Sequence, residues 1–203
     1  MYTGIVQGVG EIVSLETLPG LSRLAVSLPE SLLDGITLGA SIGLDGVCMT
    51  VTGWQGAVVN FDAMEETLRA TTLGALAVGD RVNVERSARQ NDEIGGHLLS
   101  GHVDGMAEIV EIERRENNWK VFYQLPALLT KYVFRKGFVA VNGCSLTVVD
   151  MDDKSGVFSI NFIPETLRAT THGEREPGDR VNIEVDRQTQ VIVDTVERVL
   201  ARQ

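Results

Sequence analysis

The heptapeptide ETLRATT stands twice in this chain, as Glu66–Thr72 and as Glu165–Thr171. Only its Leu and Ala are apolar, so core packing alone does not require the match. Other blocks repeat in the same order. "GIVQGVGEIVSLE" from Gly4 pairs with "GHVDGMAEIVEIE" from Gly101, and "DGVCMTV" from Asp45 with "NGCSLTV" from Asn142, both at a shift of 97. "GDRVNVE" from Gly79 pairs with "GDRVNIE" from Gly178 at the heptapeptide's own shift of 99, so two residues entered between the second and third blocks. A fixed-period repeat constrains the fold before any local propensity does. The chain divides into two like units, 1–97 with its linker "RQNDEIGGH" and 98–187, ahead of a tail at 188–203.

Each unit reads as all-β. "RVNVE" and "RVNIE" alternate polar and apolar residues as half-buried strands do, and "GEIVSLE" and "AEIVEIE" follow suit. Gly and Asp-Gly punctuate short strands, and the 21 glycines suit a turn-rich architecture. A small closed barrel is the natural solution, because closure removes vulnerable sheet edges. The heptapeptide departs from this pattern: good helix formers giving way to threonines predict one or two helical turns capping each barrel. In the tail, Ile192, Val196, Val199 and Leu200 fall on one helical stripe, with Arg198 and Arg202 where the helix dipole favours cations. That stripe packs on the chain's own barrels or bundles with copies of itself.

The net charge of −10 argues against nucleic acid and anionic membranes as partners, since both need clustered Lys and Arg. Two cysteines, Cys48 and Cys144, and three histidines, His97, His102 and His172, offer neither a disulfide framework nor a C-x-x-C zinc site. His97 and His102 are five residues apart, which puts them on a common face of neither a strand nor a helix. The N-terminus shows no basic and apolar leader pattern, and the cytoplasm is the expected location.

Polar residues that survive in both copies point to two equivalent pockets: Thr50 with Thr147, Glu66 with Glu165, Thr67 with Thr166. Such hydroxyls and carboxylates also cap helices and tie turns. As a set they fit two sites for a flat polar ligand, each ended by one heptapeptide. The mismatches supply asymmetry: Cys48 faces Ser145, Asp45 faces Asn142, Ile5 faces His102, and His97 has no counterpart. An imidazole able to move protons near neutral pH and a thiol opposite a hydroxyl suit a reaction between two identical molecules. Cys144 aligns with Val47 and reads as core, and His172 as solvated in a charged turn.

"MYTGIV", "DGVCMTV", "GGHLLSGHVDG", "NGCSLTV" and the doubled heptapeptide together resemble the riboflavin synthase family of the trimeric alpha-chain type, over essentially the whole chain. The resemblance implies two six-stranded Greek-key barrels and a C-terminal helix that assembles a homotrimer. It implies conversion of two 6,7-dimethyl-8-ribityllumazine molecules into riboflavin and 5-amino-6-ribitylamino-uracil, with no metal or organic cofactor, and a possible association with lumazine synthase. It places Gly4, Ile5, Val6, Cys48, Met49, Thr50, Asp62, Ala63, Met64, Glu65, Glu66, Thr67, Gly101, His102 and Val103 around the first pocket. Around the second it places Lys136, Ser145, Leu146, Thr147, Asn161, Phe162, Ile163, Pro164, Glu165 and Thr166. Cys48, His97, His102 and Ser145 would lie nearest the chemistry. Two departures stand out: Tyr2 replaces the family's usual Phe, and Asp45-Gly46 and Asn142-Gly143 exchange the usual Asx types.

Overall fold

The computed structural model describes residues 1–202. Twelve strands close into two antiparallel barrels of six. The first holds β1 (Gly8–Leu18), β2 (Leu21–Ser27), β3 (Ser41–Leu44), β4 (Val47–Gln55), β5 (Val58–Met64) and β6 (Arg81–Arg86), in the order β1-β2-β5-β4-β3-β6. The second repeats that circuit with β7 (Gly105–Arg114), β8 (Trp119–Gln124), β9 (Phe138–Val141), β10 (Cys144–Asp152), β11 (Val157–Phe162) and β12 (Arg180–Val185). Even the irregularities are copied. A register shift between Ile12 and Ser14 recurs between Ile109 and Glu111, and one between Val51 and Gly53 recurs between Val148 and Asp150. Bulges at these places bend the strands so that six can close.

Strand alternation builds each core. Leu24, Val26, Phe61, Val82 and Val84 fill the first barrel, and Tyr123, Phe158, Ile160, Val181 and Ile183 the second, where Tyr123 and Phe158 stack at 5.0 Å. Each heptapeptide forms the short helix that the composition predicts, α1 (Glu65–Ala70) after β5 and α2 (Pro164–Ala169) after β11. His172 is a correction: it is buried against Phe162 at 4.8 Å, not solvated. It occupies the position of Leu73 and therefore fills the same place in the core. Cys144 is buried at the start of β10.

The barrels meet about a local two-fold. The turns Asp45-Gly46 and Asn142-Gly143, all four at positive φ, lie back to back on it. Asp45 Oδ1 accepts the Asn83 N–H at 2.8 Å, and Asn142 Oδ1 accepts the Asn182 N–H at 2.7 Å. The Asn83 amide then donates across to the Asn142 carbonyl and the Asn182 amide to the Asp45 carbonyl. The exchanged Asx pair thus sits fully buried in the barrel–barrel interface, where Asn142 lines a small cavity with Gly46, Gly143 and Asn83. Burial raises the Asp45 carboxyl to about 7, against the opposing pull of Arg175 and the Asn83 N–H.

The tail is α3 (Arg187–Leu200), started by Asp186, whose carboxylate accepts the N–H groups of Gln188 and Thr189. One face docks: Val193 packs on the second core, and Asp194 and Glu197 take Tyr132 and Lys131. The opposite face leaves Ile192, Val196, Val199 and Leu200 exposed. Among the described residues no helix is long and apolar enough to cross a membrane.

Candidate active site

The second pocket is a groove of ≈ 480 Å³ between β10, β11 and the start of α2. Ser145 and Thr147 line one side, Asn161, Ile163 and Thr166 another, and Lys136 closes an end. Its size falls within the range usual for a small-molecule site. The related positions Cys48, Thr50, Asp62, Met64 and Thr67 lie on β4, β5 and α1 of the first barrel. Not every predicted residue faces such a pocket. The side chains of Met49, Ala63 and Phe162 are buried in the barrel cores, so these residues can reach a ligand only through their backbone.

The heptapeptide is identical in the two halves for several reasons at once. Glu66 pairs with Arg69 and Glu165 with Arg168 on the surface, one helical turn apart. Thr71 and Thr170 donate to the carbonyls of Thr67 and Thr166 and accept the N–H groups of Leu73 and His172. The N–H groups of Thr72 and Thr171 cross to the other barrel, onto Asn182 Oδ1 and Asn83 Oδ1. Thr67 and Thr166 alone are left half-buried with hydroxyls free of such duties, and Thr166 lines the groove. Most of the segment's polar groups therefore carry structural contacts.

Of the four residues expected nearest the chemistry, His97 and Ser145 are in direct contact, across the two units. His97 Nδ1 lies 2.6 Å from Ser145 Oγ, and its ring stacks on Phe138 at 5.2 Å. Burial holds the His97 imidazole below its usual pKa, so it is neutral at pH 7 and able to accept a proton. In the first barrel the Tyr2 hydroxyl donates to Cys48 Sγ at 3.1 Å. Tyr2 is buried with Leu99 and Ala140, and burial together with this bond keeps its phenol protonated. His102 is exposed beside Gly101. The N-terminal segment and the segment just after the linker form an isolated bridge, Tyr2 to Leu99, and each presses a glycine, Gly4 and Gly101, on one strand of the other barrel. A Cβ on Gly4 would lie 2.5 Å from Ser145 Cβ, and one on Gly101 would lie 2.6 Å from Cys48 Cβ. Gly4 therefore abuts the groove of the second barrel and Gly101 the Cys48 strand of the first, while Val103 packs against the first barrel's core.

Four polar residues were missed from the sequence: Asn83, Asn182, Glu85 and Glu184. All are buried, and all come from "RVNVE" and "RVNIE". The valines and isoleucine mark the core face of these strands. The signal on the other face was an identical polar pair surviving in both copies, the criterion already applied to the threonines.

The lumazine binding domain model matches twice, at residues 3–87 and 100–186. The chain is 50% identical over 202 residues to riboflavin synthase of Escherichia coli (strain K12), covering 99% of this chain and 94% of that protein. It is 43% identical over 201 residues to riboflavin synthase of Chlamydia pneumoniae, covering 99% and 98%. Among solved structures, LumP complexed with 6,7-dimethyl-8-(1'-D-ribityl) lumazine superposes with a TM-score of 0.83 at 28% identity, covering 92% of this chain and 99% of that one. LumP complexed with riboflavin gives 0.84 at 29%, covering 92% and 100%. With two lumazine binding domains and full-length likeness to these enzymes, the chain belongs to the riboflavin synthase family.

Proposed function

We propose that the chain catalyses the riboflavin synthase reaction, in which one 6,7-dimethyl-8-ribityllumazine molecule passes a four-carbon unit to a second, giving riboflavin and 5-amino-6-ribitylamino-uracil. The observation that carries this reading is the pairing of two like pockets with unlike reactive groups, His97–Ser145 in one and Tyr2–Cys48 in the other. A dismutation needs the same molecule held twice and treated differently each time. The units 1–97 and 98–187 would each bind one lumazine, with backbone groups and the hydroxyls of Thr50, Thr67, Thr147 and Thr166 reading the ring edge.

His102 is the proposed base for the acidic 7-methyl group of the donor. Neutral His97 would hold or relay a proton at the acceptor side through Ser145 Oγ. The donor carbanion then attacks the activated acceptor, and eliminations release both products. The methyl protons are already acidic in the free substrate, so holding two molecules face to face supplies much of the acceleration. The helix α3 would assemble a homotrimer through its exposed stripe, bringing the first barrel of one chain against the second barrel of its neighbour.

Incubating the purified protein with the lumazine and following flavin absorbance tests the reading. Riboflavin and the uracil in equal amounts support it. A stable fluorescent complex without turnover would instead make the chain a lumazine-binding optical protein.

A further inference from the structure

Two buried carboxylates carry the contacts between the pocket strands and the segments that press on them. Glu85, on β6 of the first barrel, receives three hydrogen bonds: the Thr3 N–H at 2.6 Å and Thr3 Oγ1 at 2.8 Å on one oxygen, the Gly4 N–H at 3.1 Å on the other. Glu184, on β12 of the second barrel, repeats the pattern with the Ser100 N–H at 2.7 Å, Ser100 Oγ at 2.7 Å and the Gly101 N–H at 3.0 Å. A carboxylate taking three donors fixes a peptide far more tightly than a turn does by itself.

The glycines so held do not serve the barrel that holds them. The Gly4 carbonyl accepts the Ser145 N–H at 2.8 Å, in the second barrel, and the Gly101 carbonyl accepts the Cys48 N–H at 2.8 Å, in the first. Gly96 adds to the first of these contacts, since a Cβ there would lie 2.6 Å from Ser145 Cβ. Each glycine thus touches the residue that differs between the two pockets. We propose that Glu85 and Glu184 are crossed positioning residues: Glu85 sets the geometry of the Ser145 strand through Gly4, and Glu184 sets that of the Cys48 strand through Gly101. Neither touches the reacting atoms. Each ties the shape of one pocket to the barrel that carries the other, so the two lumazine sites are built as a pair.

The two arms differ in one respect. Arg187, the first residue of α3, reaches Glu184 at 3.8 Å, Asp104 at 2.8 Å and the His102 carbonyl at 2.6 Å. Among the described residues no Lys or Arg pairs with Glu85; the N-terminal ammonium is the cation that acts on it, and burial outweighs that pull and raises its pKa.

The function assigned to this carboxylate pair rests on the riboflavin synthase reading, but its geometry does not, and the test separates the two. Glu85→Gln and Glu184→Gln each keep the side-chain length while placing an amide where two oxygens are needed. In the unliganded protein, backbone amide resonances give the first readout. Glu85→Gln should move the Ser145 amide and leave Cys48 in place, and Glu184→Gln should do the reverse. In turnover, each variant should lose about tenfold or more in kcat, with KM changed less than about threefold, as expected when a ~1 Å misplacement is felt at the reacting centre. If either variant does not fold, Thr3→Val and Ser100→Ala each remove the hydroxyl's bond to the carboxylate, together with the one it accepts from Ile5 or His102 N–H, and should shift the same amides. The crossed assignment is overturned if each variant moves the amide of its own barrel, or if folded variants keep full kcat. A wild-type protein that makes no riboflavin would refute the reaction while leaving the amide result to decide the geometry.

Discussion

Gly46 and Gly143 touch backbone to backbone at the local two-fold: a Cβ on either would lie 2.7 Å from the other's amide nitrogen. Both are in the left-handed region, at φ of 80° and 77°. Replacing either with alanine would strain its own turn and push the barrels apart. Gly143→Ala should cost about 2 kcal/mol or more, read as a lower denaturant midpoint. An unchanged midpoint would mean the two turns are not packed as described.

Asp45 carries the same fold role as Asn142 but with a charge. Its folded pKa of about 7 exceeds the ordinary value of 3.8, so the folded chain holds the extra proton between those limits. Stability from this group is present at low pH and falls as pH rises through 7. Asp45→Asn should remove that loss, giving a protein more stable at pH 8 by on the order of 1–2 kcal/mol, with loss of the Arg175 contact as an offset. Thermal unfolding at pH 5 and pH 8 would show it. A variant whose pH dependence matched the wild type would rule Asp45 out as its source.

His172 titrates in the opposite sense. Burial lowers its pKa to about 4, so below pH 6.5 the unfolded chain takes up a proton that the folded chain refuses. Its share of stability is therefore complete above pH 6.5 and is lost toward pH 4. His172→Leu copies Leu73, the related core residue, and should flatten the acid limb by on the order of 1–2 kcal/mol at pH 5. Unfolding midpoints across pH 4–7 are the measurement.

Lys136 sits at φ 66°, where the related position in the first barrel is Gly39 at φ 81°. The structure thus keeps a strained lysine at the mouth of the groove where glycine would be easier. Lys136→Gly should raise stability by about 1 kcal/mol and weaken binding of the lumazine. Tighter binding, or a loss of stability, would remove the case for a lysine placed there by function.

The exposed stripe of α3 gives a prediction on assembly. Ile192→Glu with Val199→Glu puts charge on that face while leaving Tyr132–Asp194 and Lys131–Glu197 intact. With the proposed homotrimer assembled through this stripe, light scattering should find the trimer for the unchanged chain and the monomer for the variant. A trimer that survives the change does not assemble through this helix.

Much of this was written into the chain itself. Duplication fixed the number of units, alternation in "RVNVE" and "RVNIE" gave the core face, and helix formers followed by threonines gave the capping turns. These are local or self-comparing signals, so they need no fold to be seen. What sequence could not supply was where the far side of each strand goes. Asn83 and Glu85 look like ordinary exposed strand residues until the second barrel meets the one and the N-terminal segment covers the other. His172 looks like a turn residue until its place proves to be that of Leu73. The heptapeptide looked like a binding motif because it was polar and identical, yet three of its four polar side-chain positions beyond Thr67 and Thr166 answer to helix pairing and capping. Tertiary structure alone decided the crossing, Gly4 onto Ser145 and Gly101 onto Cys48, because it depends on two related barrels facing one another across a two-fold.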